Sequence, residues 1–258
     1  MKLNALGGAF MLGLCLCLTL PSKTQAGFVP FVIRGGSTTS PTINESGGTY
    51  EFLITEGGQK AALGSSDIDG YTLGSISKLS ITRTDDFDRF SSGSGPNVAP
   101  YLNFWITDGA GNFAVVANEP SNAAFQSLYN NGSYDLDFAD LSDKVAKIYE
   151  TTDKSWLPSN GVGLTFGDLS GFKIQAPTVA ELTAGWSGLG TGAPRELTTN
   201  IAYGVNWVFG DTLSNYVAGD PGYSVVGPQV AAVPEPGTLA IACMALLIPG
   251  LRRRRSRR

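Results

Sequence analysis

From residue 27 to residue 232 the chain is a succession of short apolar stretches, each cut by Gly, Pro, Asn, Asp or Ser. That interruption is what most limits the fold. A core helix needs an apolar stripe sustained over several turns, whereas a half-buried strand needs only about four to eight alternating residues between turn formers. Residues 101–118 show the pattern most clearly. Leu102, Phe104 and Ile106 share one face, and Tyr101, Asn103, Trp105 and Thr107 share the other. Asp108-Gly109-Ala110-Gly111-Asn112 then reverses the chain and residues 113–117 run back, which predicts a β-hairpin.

Further strands are expected at residues 28–33, 50–55, 77–84, 134–138, 162–166, 172–175, 201–209 (the longest) and 223–226. In 50–55 Tyr50, Phe52 and Ile54 share a face; in 77–84 Leu79 and Ile81 point inward. Residues 145–149 read as a strand, although Leu141, Val145, Ile148 and Tyr149 also fit a helical face. Residues 37–42 and 57–70 read as loops, and 227–232 as a linker. Ser121 is placed to cap a short helix through Tyr129, and 177–182 is expected to make a helical turn or two. Residues 185–192 are a glycine-rich loop carrying Trp186. Phe166-Gly167-Asp168-Leu169-Ser170 is echoed by Phe209-Gly210-Asp211-Thr212-Leu213-Ser214, the same Gly-Asp turn used twice. About ten strands with no long helix predict an all-β fold, a jelly-roll-like β-sandwich, with a β-solenoid or an irregular barrel as alternatives.

The two ends differ from this middle. At the start, Lys2 precedes an apolar run at 3–20 and then Thr24-Gln25-Ala26, the pattern of a secretory signal peptide cleaved between Ala26 and Gly27. An uncleaved signal anchor is the alternative. Leu14 and Leu16 precede Cys15 and Cys17 where a lipid-attachment box needs a small residue. At the other end Val233-Pro234-Glu235-Pro236-Gly237-Thr238 is followed by a charge-free run to Leu251 and then by Arg252, Arg253, Arg254, Arg255, Arg257 and Arg258. The prolines lack N–H groups and keep their segment extended. The apolar run spans only about 21 Å of a roughly 30 Å hydrocarbon core, and the arginines hold the C-terminus in the cytoplasm.

This tail resembles the PEP-CTERM sorting signal of exported proteins from exopolysaccharide-producing Gram-negative bacteria, over residues 233–258. The resemblance implies recognition of Pro234-Glu235-Pro236 by an exosortase-type membrane enzyme and removal of the short transmembrane helix. The alternative is a degenerate tail anchor. Residues 100–120 and 206–217 are also similar to segments of other exported PEP-CTERM proteins of uncharacterised function. The expected layout is a signal peptide at 1–26, an exported domain at 27–229 and a sorting tail at 230–258. The protein would be inserted transiently in the inner membrane, then reach the cell surface or the extracellular space.

With Lys2, Lys23 and the six tail arginines set aside, ten of the 18 basic residues remain in the middle, against 21 of the 22 acidic ones once Glu235 is removed, a net charge of −11. That balance argues against nucleic acid, polyanionic glycans or an anionic membrane surface as partners. Cys15, Cys17 and Cys243 all lie in the ends, so the middle has no disulfide to rely on and needs a real core. The chain has no histidine, which removes Ser-His-Asp and Cys-His catalysis and nearly every histidine metal centre.

What chemistry remains is carboxylate or aromatic. Asp67-Ile68-Asp69-Gly70 and Asp85-Asp86-Phe87-Asp88 are calcium candidates, with Asp67 and Asp69 the foremost. An EF-hand alignment needs Ser65 at the first position and Ile76 at the twelfth, where a glutamate belongs, so the first loop is no EF-hand. Asp135, Asp137, Asp140 and Asp143 form a third acidic group. Tyr101, Asn103 and Trp105 on one strand face have the make-up of a glycan platform, and Trp186 offers a second ring; core packing is the competing reading. Glu119 and Glu150 are candidates for a two-carboxylate glycoside hydrolase, but no E-x-D-x-x-E run exists. No cofactor is expected apart from calcium. The favoured reading is a non-enzymatic surface or matrix protein with a structural or exopolysaccharide-associated role; the alternatives are a lectin-like module and a hydrolase.

Overall fold

Gly47 and Gly48 both adopt positive φ, 59° and 84°, the backbone that a two-residue hairpin turn requires and a Cβ opposes. They join β2 (Thr42–Ser46) to β3 (Thr49–Leu53), with Ser46 opposite Thr49. The computed structural model describes residues 27–84, 100–118, 123–129, 133–138, 140–149, 151, 153–178, 180, 203–210 and 222–233. These residues form the strands of two antiparallel sheets and one short helix, α1 (Ala123–Tyr129), within a compact unit of Ala26–Val233.

The first sheet contains β1 (Val29–Arg34), β4 (Lys60–Ser65), β6 (Tyr101–Thr107), β7 (Phe113–Ala117), β9 (Lys147–Tyr149), β10 (Lys173–Ile174) and β11 (Val205–Phe209). Its order is β1-β4-β11-β6-β7-β9, and β10 pairs with the far end of β6. The second sheet joins β2 and β3 to β5 (Ile76–Arg83), β8 (Asp135–Asp137) and β12 (Tyr223–Ala232), in the order β2-β3-β12-β5-β8.

The sheets pack face to face because each offers a run of alternating apolar residues. Leu63, Leu102, Phe104, Val116 and Trp207 of the first meet Phe52, Leu79, Ile81, Val225 and Val230 of the second in one buried cluster. Phe52 and Phe209 stack across the interface at 3.9 Å with an interplanar angle of 11°. Arg83 is only 1% exposed and donates from Nη2 to the carbonyls of Tyr129 and Ser133. A cation there meets the carbonyl end of α1, the end its dipole makes negative. Tyr129 in turn donates its hydroxyl to Pro100 O and accepts from Asn118 Nδ2, and Asn118 Oδ1 accepts from Leu102 N. This chain of bonds ties the helix to the start of β6.

Several expectations need correction. Residues 57–70, read as a loop, contain β4, which lies between β1 and β11. Its Ala61, Ala62 and Gly64 look unlike a strand, yet small side chains are what this position accepts. A Cβ on Gly64 would sit 2.2 Å from the Tyr203 ring and 2.8 Å from that of Phe31. Residues 227–232, read as a linker, continue β12, at ten residues the longest strand among the described residues, across an irregularity between Val226 and Gln229. There Gly227 at φ 59° and the N–H-free Pro228 interrupt the ladder and do not end it. Residues 162–166 form turns, since Gly161 and Gly163 both take positive φ; only Thr165 bridges, to Val145. Of residues 145–149 only Lys147–Tyr149 form a strand, β9, which pairs with β7, while Val145 makes an isolated bridge to Thr165. The hairpin at 101–118, β3, β5 and β8 stand where expected.

Both chain ends of the domain emerge at the same end of the two sheets. Val29 pairs with Gly64 near the exit of β4, and Ala232 pairs with Ile76 at the entry of β5. The crossover between β4 and β5 touches both: Gly27 N donates to Asp67 Oδ2 at 2.7 Å, and Val233 N donates to Ser75 O at 2.8 Å. No helix among the described residues is long and apolar enough to cross a membrane. The expected spanning helix at 238–251, the signal peptide and Ser121 lie outside the described residues.

Candidate functional site

Alternation along β6 sends Tyr101, Asn103 and Trp105 away from the sandwich core, onto the outer face of the first sheet. Register assembles the rest of that face. Asn103 lies opposite Asn206 on one side and Ala117 on the other; Trp105 lies opposite Val115, which lies opposite Tyr149. The Tyr149 hydroxyl donates to Asn103 Oδ1 at 2.7 Å. Lys60 extends over the same face, with Nζ 5.6 Å from the Tyr101 ring centroid and 5.8 Å from that of Tyr149, a cation between two aromatic faces. Asn206 Nδ2 donates to Tyr203 O at 2.8 Å.

The expected platform residues are therefore together, but as a packed layer. Tyr101 is 7% exposed, Asn103 8% and Trp105 4%. Trp105 packs with Phe113, Val115, Ala176 and the half-buried Tyr149, and Tyr101 with Ala62, Val208 and Phe31. A ring so enclosed offers no face for a sugar to stack on. The burial of these three favours the competing reading, a second packed layer. Trp186 lies outside the described residues. Sequence reasoning missed Lys60 because β4 looked like a loop, and Tyr149 because β9 reaches this face only through its pairing with β7; a lysine opening a run of small residues was the available signal.

Most of the described acidic candidates have a local partner. Asp67 Oδ2 accepts from Gly27 N, as above. Asp69 lies against Gly204, where an added Cβ would come within 2.1 Å of its Oδ1. Burial, and then the charge of Asp67, pushes the Asp69 carboxyl up to about 7, offset in part by the Gly204 N–H. Thr82 Oγ1 donates to Asp135, Lys78 pairs with Asp137 at 3.5 Å, Ser142 donates to Asp140, and Lys144 pairs with Asp143 at 3.4 Å. Among the described residues no group of three His, Cys, Asp or Glu side chains stands together as a metal site. Asp85, Asp86 and Asp88 lie outside them.

A second carboxylate nest was not foreseen. The loop 37–39 wraps Glu56: its carboxylate accepts from the backbone N–H and hydroxyl groups of Ser37, Thr38 and Thr39. Those bonds, led by the Ser37 hydroxyl and then that of Thr38, pull its pKa down to about 2. Buried Gln59 braces the nest, accepting from Thr55 N at 2.7 Å and donating to Thr39 Oγ1 at 2.9 Å. The consecutive hydroxyl residues at 37–39 were the signal. A side chain of the protein itself already fills this anion site, so the nest is a clasp between two loops.

One cavity of about 150 Å³ opens beside the core, lined by Leu73, Ile76, Phe104, Phe138 and Phe166 with Asp140 at its edge. A single carboxylate does not make the pair that glycoside hydrolysis needs, and Glu119 and Glu150 lie outside the described residues. Compared with family models, curated proteins and solved structures, the chain matches none. The class that the geometry defines is thus a two-layer antiparallel β-domain whose outer face is also packed.

Proposed function

We propose that the chain is an exported, non-catalytic cell-surface or matrix protein, sorted through its C-terminal tail by an exosortase-type enzyme, with a structural or exopolysaccharide-associated role. The observation that carries the reading is the tail itself, read with the way β12 leads into it. β12 runs to Ala232, Val233 N donates to Ser75 O, and Pro234 follows in the sequence. The Pro234-Glu235-Pro236 box thus follows β12 in the sequence with only Val233 between them, and its prolines cannot donate to a ladder. The shared exit of both chain ends agrees with a domain held at one membrane surface by an N-terminal leader and a C-terminal tail. The jelly-roll-like reading belongs with this proposal; the way the chain repeatedly switches sheets, from β1 to β2, β3 to β4 and β4 to β5, supports it.

Intact-mass spectrometry of the surface-extracted protein tests the proposal. The expected mass lacks residues 1–26 and the arginine cluster at 252–258, and Glu235→Ala is expected to leave a full-length, membrane-bound form. A native mass that still includes Arg252–Arg258 would overturn the sorting reading.

A further inference from the structure

We infer that processing between Ala26 and Gly27 creates a cationic clamp: the new α-ammonium of Gly27 is the partner for which Asp67 is placed. The inference rests on the leader-cleavage reading above and extends it to what cleavage does to the fold.

The geometry is already present around the backbone nitrogen. Gly27 N lies 2.7 Å from Asp67 Oδ2. The next residue, Phe28, is buried in the main core, and β1 begins one residue later. Gly27 is therefore held between a docked side chain and an acidic loop. Asp67 is oriented too, since its own N–H donates to Ser65 Oγ at 3.2 Å. Position 27 carries no side chain, and a Cβ there would meet nothing within 4 Å, so the nitrogen is the only group this residue brings to the carboxylate.

Hydrolysis of the Ala26–Gly27 peptide bond adds one water across it. The water's oxygen goes to Ala26, which leaves as a carboxylate, and both its protons go to the Gly27 nitrogen, which becomes an ammonium. A neutral donor with one hydrogen becomes a cation with three, at charge-assisted hydrogen-bond distance from a carboxylate. Asp69 is close enough to feel the charge of Asp67, and Asp69 Oδ1 is buried with no hydrogen-bond partner among the described residues. The unprocessed chain thus holds two neighbouring acids against one amide. The processed chain supplies a positive charge beside them.

The test uses Gly27–Val233, which carries both sheets and the core, released from a fusion so that it begins at Gly27. Cyanate reacts only with the free amine, so its rate on the α-amine falls about tenfold for each unit by which the ammonium's pKa rises. The expected result is a rate several-fold slower than in Asp67→Asn, an exposed and conservative change that leaves the fold intact. Enzymatic Nα-acetylation of Gly27, which restores a neutral amide, is expected to lower the thermal midpoint in the Asp67 protein and to have no such effect in Asp67→Asn. Equal cyanate rates, or an acetylation effect that persists unchanged in Asp67→Asn, overturn the clamp alone. A natural mature protein that begins elsewhere than Gly27 overturns the leader reading, and the clamp with it.

Discussion

Trp105→Ala separates a packed layer from a binding platform. Trp105 is 4% exposed and shares its cluster with Phe113, Val115, Ala176 and Tyr149. Truncating so enclosed an aromatic side chain typically costs about 3–5 kcal/mol, the lost transfer of the ring plus the cavity it leaves. A domain of this kind has a total stability of about 5–15 kcal/mol, so the variant should fold but lose a large share. For a domain of roughly 200 residues each kcal/mol moves the thermal midpoint by about 2–4 °C, which gives a fall of about 6–20 °C. Circular dichroism melts of Gly27–Val233 and its Trp105→Ala variant measure it, with guanidinium unfolding as a check that the slope is unchanged. A midpoint within about 2 °C of the parent would refute the packing argument. A platform residue would behave that way, losing a ligand and not stability.

Two further outcomes follow from local geometry. Glu56 has its folded pKa lowered from 4.5 to about 2, so its stabilisation is fully present above the unfolded value and is lost as pH falls toward about 2. Glu56→Gln should flatten the decline of midpoint between those pH values, and parallel pH profiles would remove the clasp from the account. Gly210→Ala should cost more than Gly109→Ala, as read by chemical denaturation. Both positions have φ near 78°, but a Cβ at Gly210 would meet Gln59 O at 2.5 Å, whereas one at Gly109 meets nothing within 4 Å. The strained backbone alone accounts for about 1–2 kcal/mol at each, and equal costs would mean that Gln59 O yields freely.

Legibility in the sequence followed side-chain contrast. In β5 and the β6–β7 hairpin large apolar residues alternate with polar ones or flank a Gly-rich turn, and those elements were readable to within a residue or two. β4 was not, because a strand between two close neighbours is built from Ala and Gly, the residues that also make loops. β12 was cut short because Gly227-Pro228 looks like a stop, when in the sheet it is a bulge with pairing on both sides. The outer layer was half legible. Period-2 alternation put Tyr101, Asn103 and Trp105 on one face, but whether that face is open depends on what distant segments bring to it. Lys60 and Tyr149 come from positions 41 and 44 residues away from Tyr101 and Trp105 respectively, beyond any local pattern. The Glu56 nest depends likewise on a loop 17 to 19 residues upstream.

The pairing of the first and last described strands bears on the export proposal. A domain with no cysteine between residues 27 and 232 has no disulfide to hold its edges, so every strand that closes the core must stay paired after the ends are cut. The fold meets that demand at both cuts. β1 is a full edge strand paired to β4 along its length, and Phe28 before it is already buried. β12 is not an edge at all but lies between β3 and β5, so removal of everything after Val233 leaves an interior strand in place. Both proposed cleavages fall outside the paired strands described, and the first would add a charge where the crossover between β4 and β5 presents an acid. Under the export proposal, β1 and β12 would keep their partners β4, β3 and β5 after both cuts.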